Sequence, residues 1–265
     1  MPDWIAIVIL GIVEGITEFL PISSTAHLLI VENWLQRQTD LFNIVIQSGA
    51  VIAVLPLFPE RLRQFVFHWR DKTTQDYGLK IVLAVVITGI GGLLLDKVGF
   101  KLPVRLWPVA WAMLVGGIAF LVIERWLSGS NLQAPVTWSV AVVVGIGQLI
   151  AAVFPGTSRS GATILLMLLL GLSRPAATEF SFLVGIPTML AAGGLKVFQA
   201  LRHGTPGSSA EHWGMVALGF ITSAVVSFIA VRWLLRYIQT HTFVVFGWYR
   251  IVLGALLFLL LFMQA

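Results

Sequence analysis

The chain contains no cysteine, which excludes disulfide bridges and thiolate metal sites. It is also poor in charge: only 11% of its 265 residues are Asp, Glu, Lys or Arg, against about 25% in a soluble domain. That deficit excludes a surface wetted on all sides. No cationic residue precedes Arg37. A secretory signal needs a positive segment ahead of its apolar stretch, so the first apolar block is expected to be retained. The net charge is +5, but the lysines and arginines form no basic patch of the kind that binds nucleic acid. They lie mostly between apolar blocks, where membrane orientation explains them. Nucleic acid is therefore not expected as a partner.

What the chain has instead is apolar sequence in long runs. Hydrophobic residues make up 58% of it, and the mean hydropathy is +0.92. The runs cover 4–31, 41–58, 79–95, 104–124, 136–172, 178–200, 213–236 and 242–264. A spanning helix needs about 20 such residues. Blocks 4–31 and 136–172 exceed one span and are interrupted, at Pro21-Ile22-Ser23-Ser24 and Pro155-Gly156-Thr157-Ser158. Proline and glycine end helices, and serine or threonine starts new ones. Each block therefore reads as helix, break, helix.

The two broken blocks resemble each other. Gly11-Ile12-Val13-Glu14 matches Gly145-Ile146-Gly147-Gln148, and without a gap Pro21 falls on Pro155 and Ser24 on Ser158. This suggests one membrane domain, 1–265, built from two related halves, about 1–135 and 136–265. If both broken blocks are re-entrant hairpins, three full spans follow each. Three is odd, so the second half is inverted. The expected fold is an all-α integral membrane protein: an inverted-topology repeat with six transmembrane spans plus two re-entrant helical hairpins. Such repeats place a site near the bilayer midplane. Segment 59–80 holds Arg61, Arg63, Arg70, Lys72 and Lys80, and the positive-inside rule puts it in the cytoplasm. Both termini then face outside. Lys97, Lys101 and Arg105 in an outside loop oppose this assignment.

Three motifs carry chemistry. In Glu14-Gly-Ile-Thr-Glu18 the carboxylates are four apart and share a helix face. Each costs roughly 3 kcal/mol at the centre of a lipid-facing helix. A divalent cation, Mg²⁺ or Ca²⁺, would relieve both that cost and their repulsion, since hard cations take carboxylate oxygens. The plain alternative is a helix near the interface with both groups hydrated. In Pro21-Ile-Ser23-Ser24-Thr25-Ala26-His27 a serine can cap the following helix, whose first amides then suit an anion. Ser24 and His27, three apart, form a nucleophile–base pair in principle. The plain alternative is a cap and an ordinary histidine. In Pro155-Gly156-Thr157-Ser158-Arg159-Ser160-Gly161-Ala-Thr163 a second helix start carries hydroxyls, and Arg159 supplies a planar fork that fits phosphate. A structural ion pair of Arg159 with Glu14 or Glu18 is the alternative there. The first half would thus be acidic where the second is cationic.

The runs Glu-Gly-Ile-Thr-Glu-Phe-Leu-Pro-Ile-Ser-Ser-Thr-Ala-His and Pro-Gly-Thr-Ser-Arg-Ser-Gly-Ala-Thr closely resemble the undecaprenyl-pyrophosphate phosphatases of the bacitracin-resistance family. The resemblance extends over the whole chain in length and block order. One departure is Ala26, where the family more often has glycine. The resemblance implies hydrolysis of undecaprenyl diphosphate to the monophosphate, recycling of the peptidoglycan lipid carrier, bacitracin resistance and dependence on a divalent cation. It implies a bacterial inner-membrane location with the site opening to the periplasm. By motif position it implies that Glu14 and Glu18 are the metal and catalytic pair, Ser24 the nucleophile and His27 its acid or base. Arg159 is catalytic and phosphate-binding. Ser158 and Thr163 match the phosphate-binding motif with it, and the reading of the two helix starts adds Ser23, Thr25, Gly156, Thr157 and Ser160 as phosphate contacts. The implied partners are the polyprenyl diphosphate lipid and the bilayer, with a homodimer left open. The rival class is an ion-coupled secondary transporter or a lipid flippase, which uses the same re-entrant architecture.

Overall fold

The computed structural model describes residues 2–35, 38–99, 106–203 and 213–263. Arg37, Lys101 and Arg105, which entered the reading of loop charge, lie outside the described residues. The described regular structure is helical throughout. Eleven helices follow in order: α1 (Asp3–Thr17), α2 (Ser24–Glu32), α3 (Asp40–Val54), α4 (Pro59–Phe67), α5 (Lys72–Lys97), α6 (Leu106–Trp126), α7 (Trp138–Val153), α8 (Arg159–Leu169), α9 (Arg174–His203), α10 (Trp213–Tyr237) and α11 (Val244–Met263).

Five of these, α5, α6, α9, α10 and α11, are long and apolar enough to cross a bilayer alone. A sixth crossing exists if α3 and α4 count as one, but their axis bends by 81° between them. The corner follows from a single helical turn at Leu55–Leu57 and from prolines at the first positions of that turn and of α4, where their fixed φ starts a helix and cannot continue one. Arg61 of α4 then donates to Glu179 at 2.7 Å, and the Tyr77 hydroxyl donates to the same oxygen at 3.3 Å. Outward-facing residues of the long helices are apolar, as Val82, Val86, Ile90, Ile221, Val225, Ile229, Val252 and Leu256 show. The protein is a multi-pass membrane protein.

The expected breaks are where the sequence puts them. The helices around them, α1 and α2, α7 and α8, hold 15, 9, 16 and 11 residues, each short of the length of about 20 that a span needs. Ser23 caps α2, with its Oγ accepting the Ala26 amide at 3.3 Å. Ser158 caps α8 by accepting the Gly161 amide at 3.2 Å. Both serines hold a positive φ, 72° and 69°, a conformation that costs a non-glycine residue about 1–3 kcal/mol and gathers at functional sites. Because Ser23 and Ser158 play the same part, the gapless match is one residue out beyond the prolines. The gapless match sets Arg159 against Thr25, whereas by place in the helix Arg159 stands where Ser24 does, each being the first residue of its helix.

Small residues let the helices approach closely, as membrane packing requires. A Cβ on Gly11 would stand 2.9 Å from the Gly219 carbonyl, and one on Gly15 would stand 2.7 Å from that of Ser223, so α1 lies tightly on α10. Gly145 places α7 against Ile87 and Ala84 of α5 in the same way. Gly117 and Gly247 face each other's carbonyls where α6 crosses α11. Further contacts join α3 with α10, α7 with α8, α8 with α9, α3 with α9 and α5 with α9. At one end of the bundle Arg174 donates through Nε to both oxygens of buried Glu124, at 3.0 and 3.1 Å, and the Phe243 amide joins them at 2.8 Å.

Candidate active site

The two breaks meet. Ser160, at the start of α8, donates to the Leu20 carbonyl at 3.3 Å. Arg250 of α11 donates to Pro21 O at 3.2 Å in the first break and to Gly156 O at 3.0 Å in the second, and it also reaches Ala112 O of α6 at 2.9 Å. Its side chain is wholly buried. Gly116 makes room for it, because a Cβ there would clash with the guanidinium.

Glu18 stands at this junction, 7% exposed. Its Oε2 accepts the Ser24 hydroxyl at 2.7 Å and the Gln47 amide at 3.2 Å. Its Oε1 takes Arg159 at 3.4 Å. One carboxylate therefore joins the first helix start to the second across 141 residues of sequence. Arg159 lies against the backbone of α9 at Gly185, where a side chain would displace it, and its guanidinium stands 5.6 Å from the Phe19 ring centre. Its NH1 has no hydrogen-bond partner among the described residues. Glu14, one turn before Glu18, lies beside that carboxylate and is 1% exposed. Neither of its oxygens has a hydrogen-bond partner among the described residues.

Ser24 and His27 are not bonded to each other in this arrangement. His27 bonds through Nδ1 to Ser23 O at 2.7 Å and through Nε2 to the Tyr249 hydroxyl at 2.6 Å, and its ring stacks on that of Tyr249. A carbonyl only accepts, so Nδ1 carries a proton, and in a neutral ring Nε2 accepts from Tyr249. The hydroxyl of Ser24 is directed to Glu18.

The other motif residues divide. Thr163 is buried and bonds to Arg159 O, Ser160 O and, at 2.6 Å, the Ser181 hydroxyl, which ties α8 to α9. Ser158 and Ser160 are buried and share a 3.2 Å bond. Gly156, at φ 92°, packs on Val109 of α6, whose carbonyl a Cβ would meet at 2.9 Å. Thr157 is half-buried and Thr25 exposed. The first-turn amides at Ser24, Thr25, Arg159 and Ser160 belong to helix starts and are donors without an intrahelical acceptor.

Three contributors lie outside the three motifs: Gln47 on α3, and Tyr249 and Arg250 within the apolar block 242–264. An arginine inside an apolar helix was the available signal, since such a charge needs a buried partner. Glu179 lies within α9, which begins at Arg174, and pairs with Arg61.

A divalent cation can be tested against these donors. The two carboxylates are adjacent, buried and hard, and both Glu14 oxygens lack other partners. No cluster of three or more His, Cys, Asp or Glu suited to a metal occurs among the described residues. Two carboxylates suit a cation whose remaining ligands are water and substrate phosphate, the habit of Mg²⁺. The residues present fit the group.

A family profile described as bacitracin resistance protein BacA matches residues 7–256. The chain is 50% identical over 257 residues to an undecaprenyl-diphosphatase of Rhizobium etli strain CFN 42, covering 96% of each chain. It is 49% identical over 260 residues to one of Xanthomonas oryzae pv. oryzae strain PXO99A, covering 98% of this chain and 97% of the relative. With the paired motifs meeting at one buried junction and the match running nearly end to end, the chain belongs to the BacA family of bacitracin resistance proteins.

Proposed function

We propose that the junction of the two breaks is the active site of an undecaprenyl-diphosphatase, whose activity yields undecaprenyl phosphate and inorganic phosphate and confers bacitracin resistance. The observation that carries the site assignment is the Glu18 carboxylate, holding Ser24 on one oxygen and Arg159 on the other. Ser24 Oγ attacks the terminal phosphorus and its proton passes to Glu18. The Oγ–P bond forms as the bond to the bridging oxygen breaks, and undecaprenyl phosphate leaves carrying the proton from Glu18. Water, giving its proton to the freed Glu18 carboxylate, then cleaves the phosphoserine, and that proton passes to Ser24 Oγ as phosphate is released. Arg159, through its unbonded NH1, and the helix starts at Ser24, Thr25, Arg159 and Ser160 bind the phosphoryl oxygens and the charge that develops on them. Ser23, Gly156, Thr157, Ser158 and Thr163 shape those two starts. His27, held between Ser23 O and the Tyr249 hydroxyl, positions the start of α2 and with it Ser24. Glu14 and Glu18 would hold Mg²⁺ or Ca²⁺, which when bound would neutralise diphosphate charge.

The fold fits an inverted repeat of halves 1–135 and 136–265, with six spans and two re-entrant hairpins. Supporting this, α1 packs on α10 as α7 packs on α5, and α3 on α10 as α9 on α5, while α6–α11 and α3–α9 pair across the halves. The two strained serine caps are a further match. With the cationic segment 59–72 in the cytoplasm, the α1–α2 hairpin enters from the periplasm and the site opens there, in the bacterial inner membrane. The polyprenyl tail stays in lipid. Purified protein in detergent tests the reading: it releases phosphate from undecaprenyl diphosphate, although micelles offer no second compartment. A transporter or flippase without hydrolytic activity would release none.

A further inference from the structure

Two serines on α10 break a pattern seen elsewhere in the bundle. Inside an apolar helix a hydroxyl commonly turns back to the carbonyl four residues earlier. Thr17, Ser48, Thr88 and Thr222 all do so, at 2.7–2.9 Å. Ser223 and Ser227 do not. Both are 0% exposed, and neither hydroxyl has a hydrogen-bond partner among the described residues. They are four apart, so they share one helix face.

That stretch of α10 is where α1 lies closest. A Cβ on Gly15 would stand 2.7 Å from the Ser223 carbonyl and 2.9 Å from the Ser227 nitrogen. The residue next to Gly15 is Glu14, whose two buried oxygens are also without partners. Three buried side chains on two touching helices thus offer four uncommitted oxygens. The second half closes the corresponding junction differently. There Gln148, the counterpart of Glu14, donates through Nε2 to Thr88 of α5 at 2.8 Å and leaves only its neutral amide oxygen without a partner among the described residues. An acid in place of the amide, and two free hydroxyls in place of a bonded one, mark the first half as the one built for a cation.

We propose that Ser223 and Ser227 are ligands of the divalent cation held by Glu14, so that α10 supplies part of the cation site. This rests on the cation dependence proposed above. The chemistry favours hydroxyls, because hard cations take six or more oxygens. A neutral donor adds to that set without adding to the repulsion between Glu14 and Glu18. The serines then set affinity for the cation and leave the phosphoryl-transfer groups alone.

The test uses the purified full chain in detergent and a Ser223→Ala/Ser227→Ala double variant. Two quantities are read: hydrolysis rate against free Mg²⁺ or Ca²⁺ at saturating substrate, and the rise in Tm on adding the cation alone. The half-saturating cation concentration is expected to rise by about tenfold or more, while kcat at saturating cation falls by less than about threefold. The cation-induced rise in Tm should shrink. Ser223→Thr/Ser227→Thr keeps both hydroxyls and should return both readouts toward wild type. The single alanine variants carry the same test if the pair does not fold. A wild-type half-saturating concentration together with a wild-type Tm response in the alanine variant overturns the proposal. Indifference of the unmutated enzyme to chelation is a distinct result: it refutes the cation reading itself and the serine ligands with it.

Discussion

Arg250 can be replaced without touching any group assigned to the chemistry, and the consequence can be worked from its three bonds. Its acceptors at Pro21 and Gly156 lie in the breaks, outside regular helix. Arg250→Met keeps an unbranched apolar stem and deletes the donors. Two buried carbonyls then lose their partner, at about 1–3 kcal/mol each, or roughly 2–6 kcal/mol in all before any relaxation. Part of this is recovered because no guanidinium has to be buried. The more specific effect is on geometry, since the same side chain fixes both breaks relative to α6. A shift of about 1 Å between Ser24 and Arg159 would cost on the order of 10²-fold in rate. The expected outcome is kcat lowered about 10²-fold with a smaller change in KM, and a Tm lower by several degrees. Arg250→Lys retains the charge but loses the planar fork, and should fall between. Phosphate release at saturating undecaprenyl diphosphate, read beside thermal unfolding in the same detergent, decides it. Arg250→Met with kcat within about twofold of wild type and an unchanged Tm would refute the idea that this arginine registers the two breaks.

Ser24→Ala and Glu18→Gln should each lower kcat by about 10²-fold with folding intact by thermal unfolding, and wild-type turnover in Ser24→Ala would remove it as nucleophile. Thr163→Val should instead lower Tm, because its hydroxyl serves α8 and α9 and not the Glu18 junction. EDTA should abolish phosphate release and Mg²⁺ or Ca²⁺ restore it; full activity in chelated buffer would end the metal assignment. Because the chain has no cysteine, each introduced thiol is the only one. Asn33→Cys should react with an impermeant reagent in intact cells while Thr73→Cys and Gly129→Cys should not. Labelling of residues 33 and 73 from the same side would remove the crossing between them and the inverted repeat with it.

The breaks were legible because proline, glycine and serine act locally: each ends or starts a helix wherever it falls. The acidic pair was legible because two carboxylates in an apolar block conflict with their surroundings. What could not be read was who bonds to whom across the fold. Ser24 and His27 look like partners along the helix, yet Ser24 bonds to Glu18 in the preceding segment and His27 to Tyr249, 222 residues away. A three-residue spacing states which face two side chains share, but not which of several neighbours on that face wins. The one-residue offset between the halves has a similar origin. The proline match is local, whereas the equivalence of Ser23 and Ser158 shows only in their shared backbone strain and cap bonds. The 81° corner at Phe58 was legible only as the end of an apolar block, because the charged residues that follow read as a loop where the chain forms α4.

Correcting that offset changes what the repeat says about function. At corresponding positions the first half has Glu14 and the second Gln148; at the first residue of each second helix stand Ser24 and Arg159. The halves thus diverge at the positions that matter chemically while conserving those that build the break, the strained serine cap above all. Two identical acidic halves would bring four carboxylates together and repel. Two identical cationic halves would bind phosphate and lack a base. Buried charge in a membrane is tolerated when it finds a partner, and Glu18 with Arg159 meets that condition across the interface of the halves. Under the proposed mechanism neither half would hold a competent site alone: the attacking hydroxyl and its base would come from one, and the phosphate-binding cation from the other. Arg250 bonds to both breaks at once, so on that mechanism the side chain that joins the breaks would also set the distance over which phosphate is transferred.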